Sequence, residues 1–261
     1  MILWSLFTVY VQVLTAVGVL TSNFDYCTHE AELCKNSAAK LHIGCRRHHI
    51  FNTECDSEME HFRMDAGMKV AVLKKHNQLR SEIARGLHGF PTAAKMSALK
   101  WDDELGRLSF NHAMQCSLDL NLCRNTVDHP AVGQNLRTFY FTDRFQWPSL
   151  EQMMESSIDL WFSERKQAEP DDIRNLTPSK AQSIGHFTQL ISDRVESLGC
   201  NLVRYRVADW DEFHFVCYYS TENVEGAPVY EMGPTGEKCL SELSPDFVGL
   251  CSEVYEDIWK L

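Results

Sequence analysis

The chain has 261 residues, with 36 Asp and Glu against 25 Lys and Arg and a net charge of −11. That balance argues against a nucleic-acid partner or an anionic membrane surface, both of which need basic patches, and the local CRRHH at 45–49 is too short to reverse it. The length allows one large domain or two small ones with a full core.

Residues 1–22, MILWSLFTVYVQVLTAVGVLTS, carry no charge and give way to NFDYC. They read as a secretory signal without the usual basic n-region, with Ala16 and Gly18, or Thr21 and Ser22, as small residues at the cleavage site. An uncleaved anchor is the rival reading, because the run is nearly long enough to span a bilayer. The N-terminal position and the small-residue end favour cleavage. No later stretch is long and apolar enough to span, so the mature protein is expected to be soluble and extracellular. The ten cysteines all follow this segment: Cys27, Cys34, Cys45, Cys55, Cys116, Cys123, Cys200, Cys217, Cys239 and Cys251. An even number in a secreted chain, without any C-x-x-C, predicts five disulfides rather than metal or redox thiols.

After a polar, irregular, cysteine-dense stretch, Met68, Val72, His76, Leu79, Ile83 and Leu87 recur at steps of three and four and predict a helix. Gly86, Gly89 and Pro91 break it. A second helix is predicted after Trp101, capped by Asp102 or Asp103, with Leu105, Leu108 and His112 on one side. A third begins after Pro148, where Ser149 and Gln152 have capping-box spacing and Met154, Ile158 and Trp161 form the inner stripe. A fourth runs through SIGHFTQLIS at 183–192, which the chain is expected to enter near His186. SLGCNLVRYRV and EFHFVCYYS then read as two strands with one buried face on the second, paired as a hairpin around ADWDE. That pairing would bring Cys200 and Cys217 together. From Asn223 the chain reads as an extended, once-stapled tail. Helices with a small antiparallel sheet define an α+β class.

Standard catalytic signatures are absent: no G-x-S-x-G, no P-loop and no G-x-G-x-x-G. HEAEL at 29–33 lacks the second histidine that a zincin helix needs.

GHFTQ at 185–189 and HFVCYY at 214–219 resemble the two signature segments of the CAP superfamily, the cysteine-rich secretory, antigen 5 and pathogenesis-related-1 proteins. HNQLRSEIARG at 76–86, LKWDDEL at 99–105 and CRNTVDHPAVGQNL at 123–136 agree in order. NFDYC with HIGC, and PVYEMGPTGEKC, are similar to insect antigen 5-related (venom allergen-like) proteins. The resemblance implies a three-layer α-β-α sandwich. It also implies a division into signal (1–22), cysteine-rich N-terminal extension (23–62), CAP domain (63–222) and C-terminal tail (223–261). The disulfides it implies are Cys27–Cys45, Cys34–Cys123, Cys55–Cys116 and Cys200–Cys217, leaving Cys239–Cys251 in the tail.

The family's cleft holds two histidines and two acidic residues able to bind a divalent metal. His186 matches one histidine and Glu164 one glutamate, but Gln134 stands at the second carboxylate and Leu120 at the second histidine. His129 is a nearby substitute, on the far side of Cys123 and beside Pro130. An amide is a poor zinc ligand and leucine is none, so at most a weak divalent-metal site is expected and no cofactor. His186 is expected to bond Glu164 as a structural pair, and His76 and His112 to be satisfied core histidines. Ser192 and the STEN at 220–223 also depart from the family's signatures. The aromatic run TFYFTDRFQW at 138–147 is a candidate hydrophobic lip, or core, and Asn175 in NLT is a candidate glycan site followed closely by Pro178. The resulting expectation is a secreted, non-enzymatic protein that binds an extracellular protein or lipid, with a seminal-fluid role favoured by the altered cleft. The alternatives are a salivary or venom effector, a lipid or sterol carrier, and a weak metal-dependent hydrolase.

Overall fold

A computed structural model describes residues 24–37, 41–45, 58–116, 123–142, 146–240 and 242–252. The expected signal segment, Cys55 and Leu120 lie outside these residues. In chain order the elements are α1 (Tyr26–Leu33), β1 (Met59–Phe62), α2 (Ala66–Ala84), β2 (Lys100–Trp101), α3 (Asp103–Ala113), β3 (Gly133–Phe141), α4 (Leu150–Ser163), a 3-10 turn (Glu164–Gln167), α5 (Pro170–Arg174), α6 (Pro178–Ile191), β4 (Ser197–Val207) and β5 (Trp210–Tyr219).

The helix starts follow from side chains that replace missing backbone acceptors. Asp65 accepts from the Met68 N–H at 2.8 Å, and Asp102 from the Leu105 N–H at 2.9 Å. Ser149 and Gln152 close the expected capping box through bonds of 3.0 and 3.2 Å. α2 stops where Gly86 takes a positive φ of 77°.

The sheet runs β1-β4-β5-β3, with β2 added parallel to β4 at Ser197 and Leu198. β4 and β5 form the expected hairpin, and Cys200 stands opposite Cys217 in its register. The turn is shorter than ADWDE: Val207 still pairs with Trp210, leaving Ala208 and Asp209 as the loop, with Ala208 at φ 52°. A left-handed residue suits the twist of a two-residue hairpin turn. β3, which carries the first part of the aromatic run, pairs with β5 from Gly133↔Tyr219 to Phe141↔Asp211.

Both faces of β5 are buried, not one, because helices cover the sheet on both sides. Phe213, Phe215, Cys217 and Tyr219 join α2, α4 and α6 in the larger core, where Trp161, Phe187 and Ile83 also lie. Val216 and Tyr218 face the smaller core, built with Leu105, Leu108 and Phe110 of α3 and Tyr26 of α1. This is the three-layer α-β-α sandwich. Phe139, Phe141 and Trp147 pack against the larger core, so most of the aromatic run serves packing, while Tyr140 is exposed.

α3 lies very close to β4. A Cβ added at Gly199 would sit 2.1 Å from the Gly106 nitrogen and 2.5 Å from the Asp102 carbonyl oxygen. Gly199→Ala is expected to push α3 off the sheet and cost about 1–3 kcal/mol, as overpacking does. A urea melt unchanged from wild type would refute this.

Four disulfides join described residues: Cys27–Cys45, Cys34–Cys123, Cys200–Cys217 and Cys239–Cys251. Cys116 is also disulfide-bonded, and its expected partner Cys55 lies outside the described residues.

Candidate functional site

α6 begins at Pro178, well before His186, but it is not continuous. Ile184 leaves helical geometry at φ −127° and kinks it. Past the kink, the N–H groups of His186 and Phe187 are in the position of a helix start and need acceptors. The Glu164 carboxylate supplies one, from the turn that ends α4: Oε2 accepts from the His186 N–H at 3.0 Å and from the Phe187 N–H at 3.1 Å. Oε1 accepts from His186 Nδ1 at 2.6 Å. Glu164 is thus an N-cap delivered from another helix, and three donors occupy its two oxygens.

The His186 ring stacks on Trp161 at 6.2 Å, and Trp161 stacks on Phe215 at 5.6 Å. Trp161 is fixed by its Nε1–H, which donates to the Leu136 carbonyl at 3.2 Å. Beneath, Asn135 donates from Nδ2 to the His186 carbonyl at 3.1 Å and to the Tyr219 hydroxyl at 3.2 Å. The Tyr219 hydroxyl meets His76 Nε2 at 3.0 Å, and His76 Nδ1 meets the Val72 carbonyl at 2.8 Å. A carbonyl can only accept, so Nδ1 carries the proton and Nε2 accepts from Tyr219. Burial pulls the His76 imidazole down to about 4, which keeps it neutral. His112 is likewise fully buried, with Nδ1 at 2.8 Å from the Tyr218 hydroxyl. His76 acts as a satisfied core histidine, and His112 is a core histidine held through Nδ1 by the Tyr218 hydroxyl.

Glu164 and His186 are therefore brought together, with side chains 21 % and 42 % exposed. Gln134 is half-buried on β3, opposite Tyr218 and next to Asn135. His129 is engaged elsewhere: its Nε2 lies 3.0 Å from Asp102 Oδ2 at the start of α3. Among the described residues, no group of three or more His, Cys, Asp or Glu could hold a metal ion. His186 Nε2 has no hydrogen-bond partner among the described residues, and the side chain is partly open to solvent. The carboxylate beside it is committed to the helix. Activating a water there would take Glu164 away from two backbone donors. Glu164→Ala is expected to cost about 1–3 kcal/mol through those orphaned N–H groups and to speed amide exchange at 186 and 187. Unchanged exchange would refute the capping role.

The His129–Asp102 contact raises the His129 pKa, first through its hydrogen bond to Asp102 against the opposing pull of burial. Burial pushes the Asp102 carboxyl up, but the bonds from His129 and the Leu105 N–H outweigh it and hold the group below its usual range. A histidine whose folded pKa is raised stabilises fully below its unfolded value of about 6.5, and that contribution disappears as pH rises through the folded pKa. The stability gap between wild type and His129→Gln should therefore narrow from pH 5.5 to 8.5. A constant gap in thermal melts across that range would refute the linkage.

Asn175 is exposed at the end of α5, and Thr177 of the same NLT caps α6 through the Lys180 N–H at 3.4 Å. Arg80 is fully buried on α2, and in the sequence only its place in HNQLRSEIARG marks it.

A three-layer sandwich with His186 of the kinked helix paired to Glu164 from the turn after α4 places the chain by class, and comparison agrees. The chain belongs to the cysteine-rich secretory protein (CAP) family, whose model matches residues 73–219. It is 36 % identical to Venom allergen-1 of Aedes aegypti over 246 residues, 94 % of each chain. It is 34 % identical to the Antigen 5 like allergen Cul n 1 of Culicoides nubeculosus, over 72 % of this chain and 85 % of that one. The solved structure of BmVAL-1 matches with a TM-score of 0.61 at 20 % identity, covering 77 % of this chain and all of that one, and shows the shared fold.

Proposed function

We propose that this protein acts outside the cell as a non-enzymatic binding protein. The observation that carries this reading is the use of Glu164: both of its oxygens cap α6 and hold His186, so this carboxylate is not free. The disulfides suit an oxidising compartment. Among the described residues, no helix is long and apolar enough to cross a membrane. Titration calorimetry of the purified mature protein with zinc tests the reading. No stoichiometric heat is expected; micromolar binding that disappears in His186→Ala would overturn it.

The relatives' names, venom allergen and antigen 5-like allergen, favour release from a venom or salivary gland over the seminal-fluid role expected from the altered cleft. Quantitative mass spectrometry of feeding or venom gland, fat body and male reproductive fluid distinguishes the two. Confinement to male fluid would restore the reproductive role, and abundance in the gland would point to host molecules as partners.

A further inference from the structure

On the smaller-core face of the sheet, α3 packs as far as His61, whose ring lies 3.9 Å from that of Phe110. In the next row on that face, Met59, Tyr205, Glu212 and Tyr140 stand side by side on β1, β4, β5 and β3. Opposed side chains share a face and alternate along each strand, so Val207 and Trp210 form the following row at the hairpin tip. Tyr140, Trp210 and Val207 are 54 %, 47 % and 42 % exposed. We propose that Glu212, Trp210 and Tyr140 form a site for a small quaternary ammonium ion, with the carboxylate as counter-charge and the two rings as walls. It lies on the opposite face of the sheet from the Glu164–His186 pair and does not rest on the role proposed for that pair.

Three observations support it. The first is charge. Burial pushes the Glu212 carboxyl up, but its contacts with His214, Tyr205 and Tyr140 outweigh this and hold it below its usual range. It is therefore an anion at neutral pH, with His214 Nε2 at 3.0 Å. Among the described residues no lysine or arginine pairs with it. Arg204 and Arg206 lie on the other face of β4, 3.7 and 3.2 Å from Asp211. The net charge of −11 adds a field that draws cations to such a carboxylate.

The second is the placing of the rings. Tyr140 is directly across from Glu212 on the neighbouring strand, about 5 Å away between backbones, and Trp210 is two residues along β5, about 7 Å away. An ion of tetramethylammonium size spans such gaps. Ring faces of tryptophan and tyrosine attract cations, tryptophan most of all.

The third is the state of the acceptor. His214 and the Tyr205 and Tyr140 hydroxyls already engage the Glu212 oxygens. A primary ammonium brings three donors that need acceptors, and this carboxylate has few positions left for them. A quaternary ammonium brings none. It takes the charge and the ring faces and leaves the hydrogen bonds as they are.

The test is titration calorimetry of the full mature protein with choline chloride at low salt. Saturable binding with a Kd of about 1 mM or tighter is expected. Trp210→Ala/Tyr140→Ala, at two exposed positions that the fold does not need, should weaken it about ten-fold, and Trp210→Phe should keep most of it. Ethanolamine, with its primary ammonium, should bind about five-fold more weakly than choline. Absence of saturable heat overturns the proposal, as does choline binding that survives the double alanine variant or is matched by ethanolamine. Capture by phosphatidylcholine vesicles without binding of free choline would assign these side chains to a membrane surface and would overturn it as well.

Discussion

Replacing Arg80 with methionine is expected to lower the unfolding free energy by about 3–5 kcal/mol, as breaking a buried charged network does. The side chain is fully buried on α2 and meets carbonyls only. Nε and Nη2 donate to Ser97 at 3.2 and 2.9 Å, Nη1 to Leu190 and Ser192 at 2.9 and 2.8 Å, and Nη2 to Val195 at 3.2 Å. One planar fork thus ties α2 to the end of α6, to the loop before β4 and to the segment leading to β2. Leu190 and Ser192 lie at the C-terminal end of α6, where a cation also suits the helix dipole. Burial pulls the guanidinium down to about 10, still high enough to keep it charged in any physiological fluid. Methionine fills the volume but leaves four carbonyls without this donor, each costing about 1–3 kcal/mol before relaxation. Arg80→Lys should recover only part of the loss, since an ammonium cannot reproduce the fork. Urea unfolding measures both variants; a loss below about 1 kcal/mol for methionine would show that other donors reach these carbonyls.

The second large effect belongs to Cys34–Cys123. Its partners are 89 residues apart, whereas those of Cys239–Cys251 are 12 apart. In the chain-entropy account the longer loop is worth about 4–5 kcal/mol and the shorter about 3. Cys34→Ala/Cys123→Ala should therefore destabilise the oxidised protein more than Cys239→Ala/Cys251→Ala. The structure adds to the difference. The bridge clamps α1 to the residue whose backbone pairs with His42 and Ile43, so its loss loosens the smaller core around Tyr26 and Ile43 as well. Guanidinium melts of the two double variants decide the order. An equal or smaller loss for the long bridge would mean that α1 is held by packing alone.

These two sites differ in how far the sequence revealed them. Helix starts were legible because a cap is local: Asp65, Asp102 and Ser149 lie within three residues of the N–H groups they serve. The hairpin was legible from the alternation around Cys217, but its second buried face was not, since alternation says nothing about a helix arriving from elsewhere. β3 was hidden because GQNLRTFYF mixes polar and aromatic residues on both faces. Arg80 is placed by acceptors that lie 17 to 115 positions away, which no local spacing shows. The Glu164–His186 pair was reached through family likeness. Its use as a cap depends on the break at Ile184, which spacing alone does not show.

That break gives the cleft a built-in reporter. Anything that captured the Glu164 carboxylate, whether cation, base or ligand amine, would have to outbid two amides for it, and the loser would be the start of the helix segment that carries His186. Capture of the Glu164 carboxylate and fraying of residues 185–187 are therefore the same event seen from two sides, coupled by one free energy that is the same in either direction. A ligand that never touches those amides would still announce itself through them.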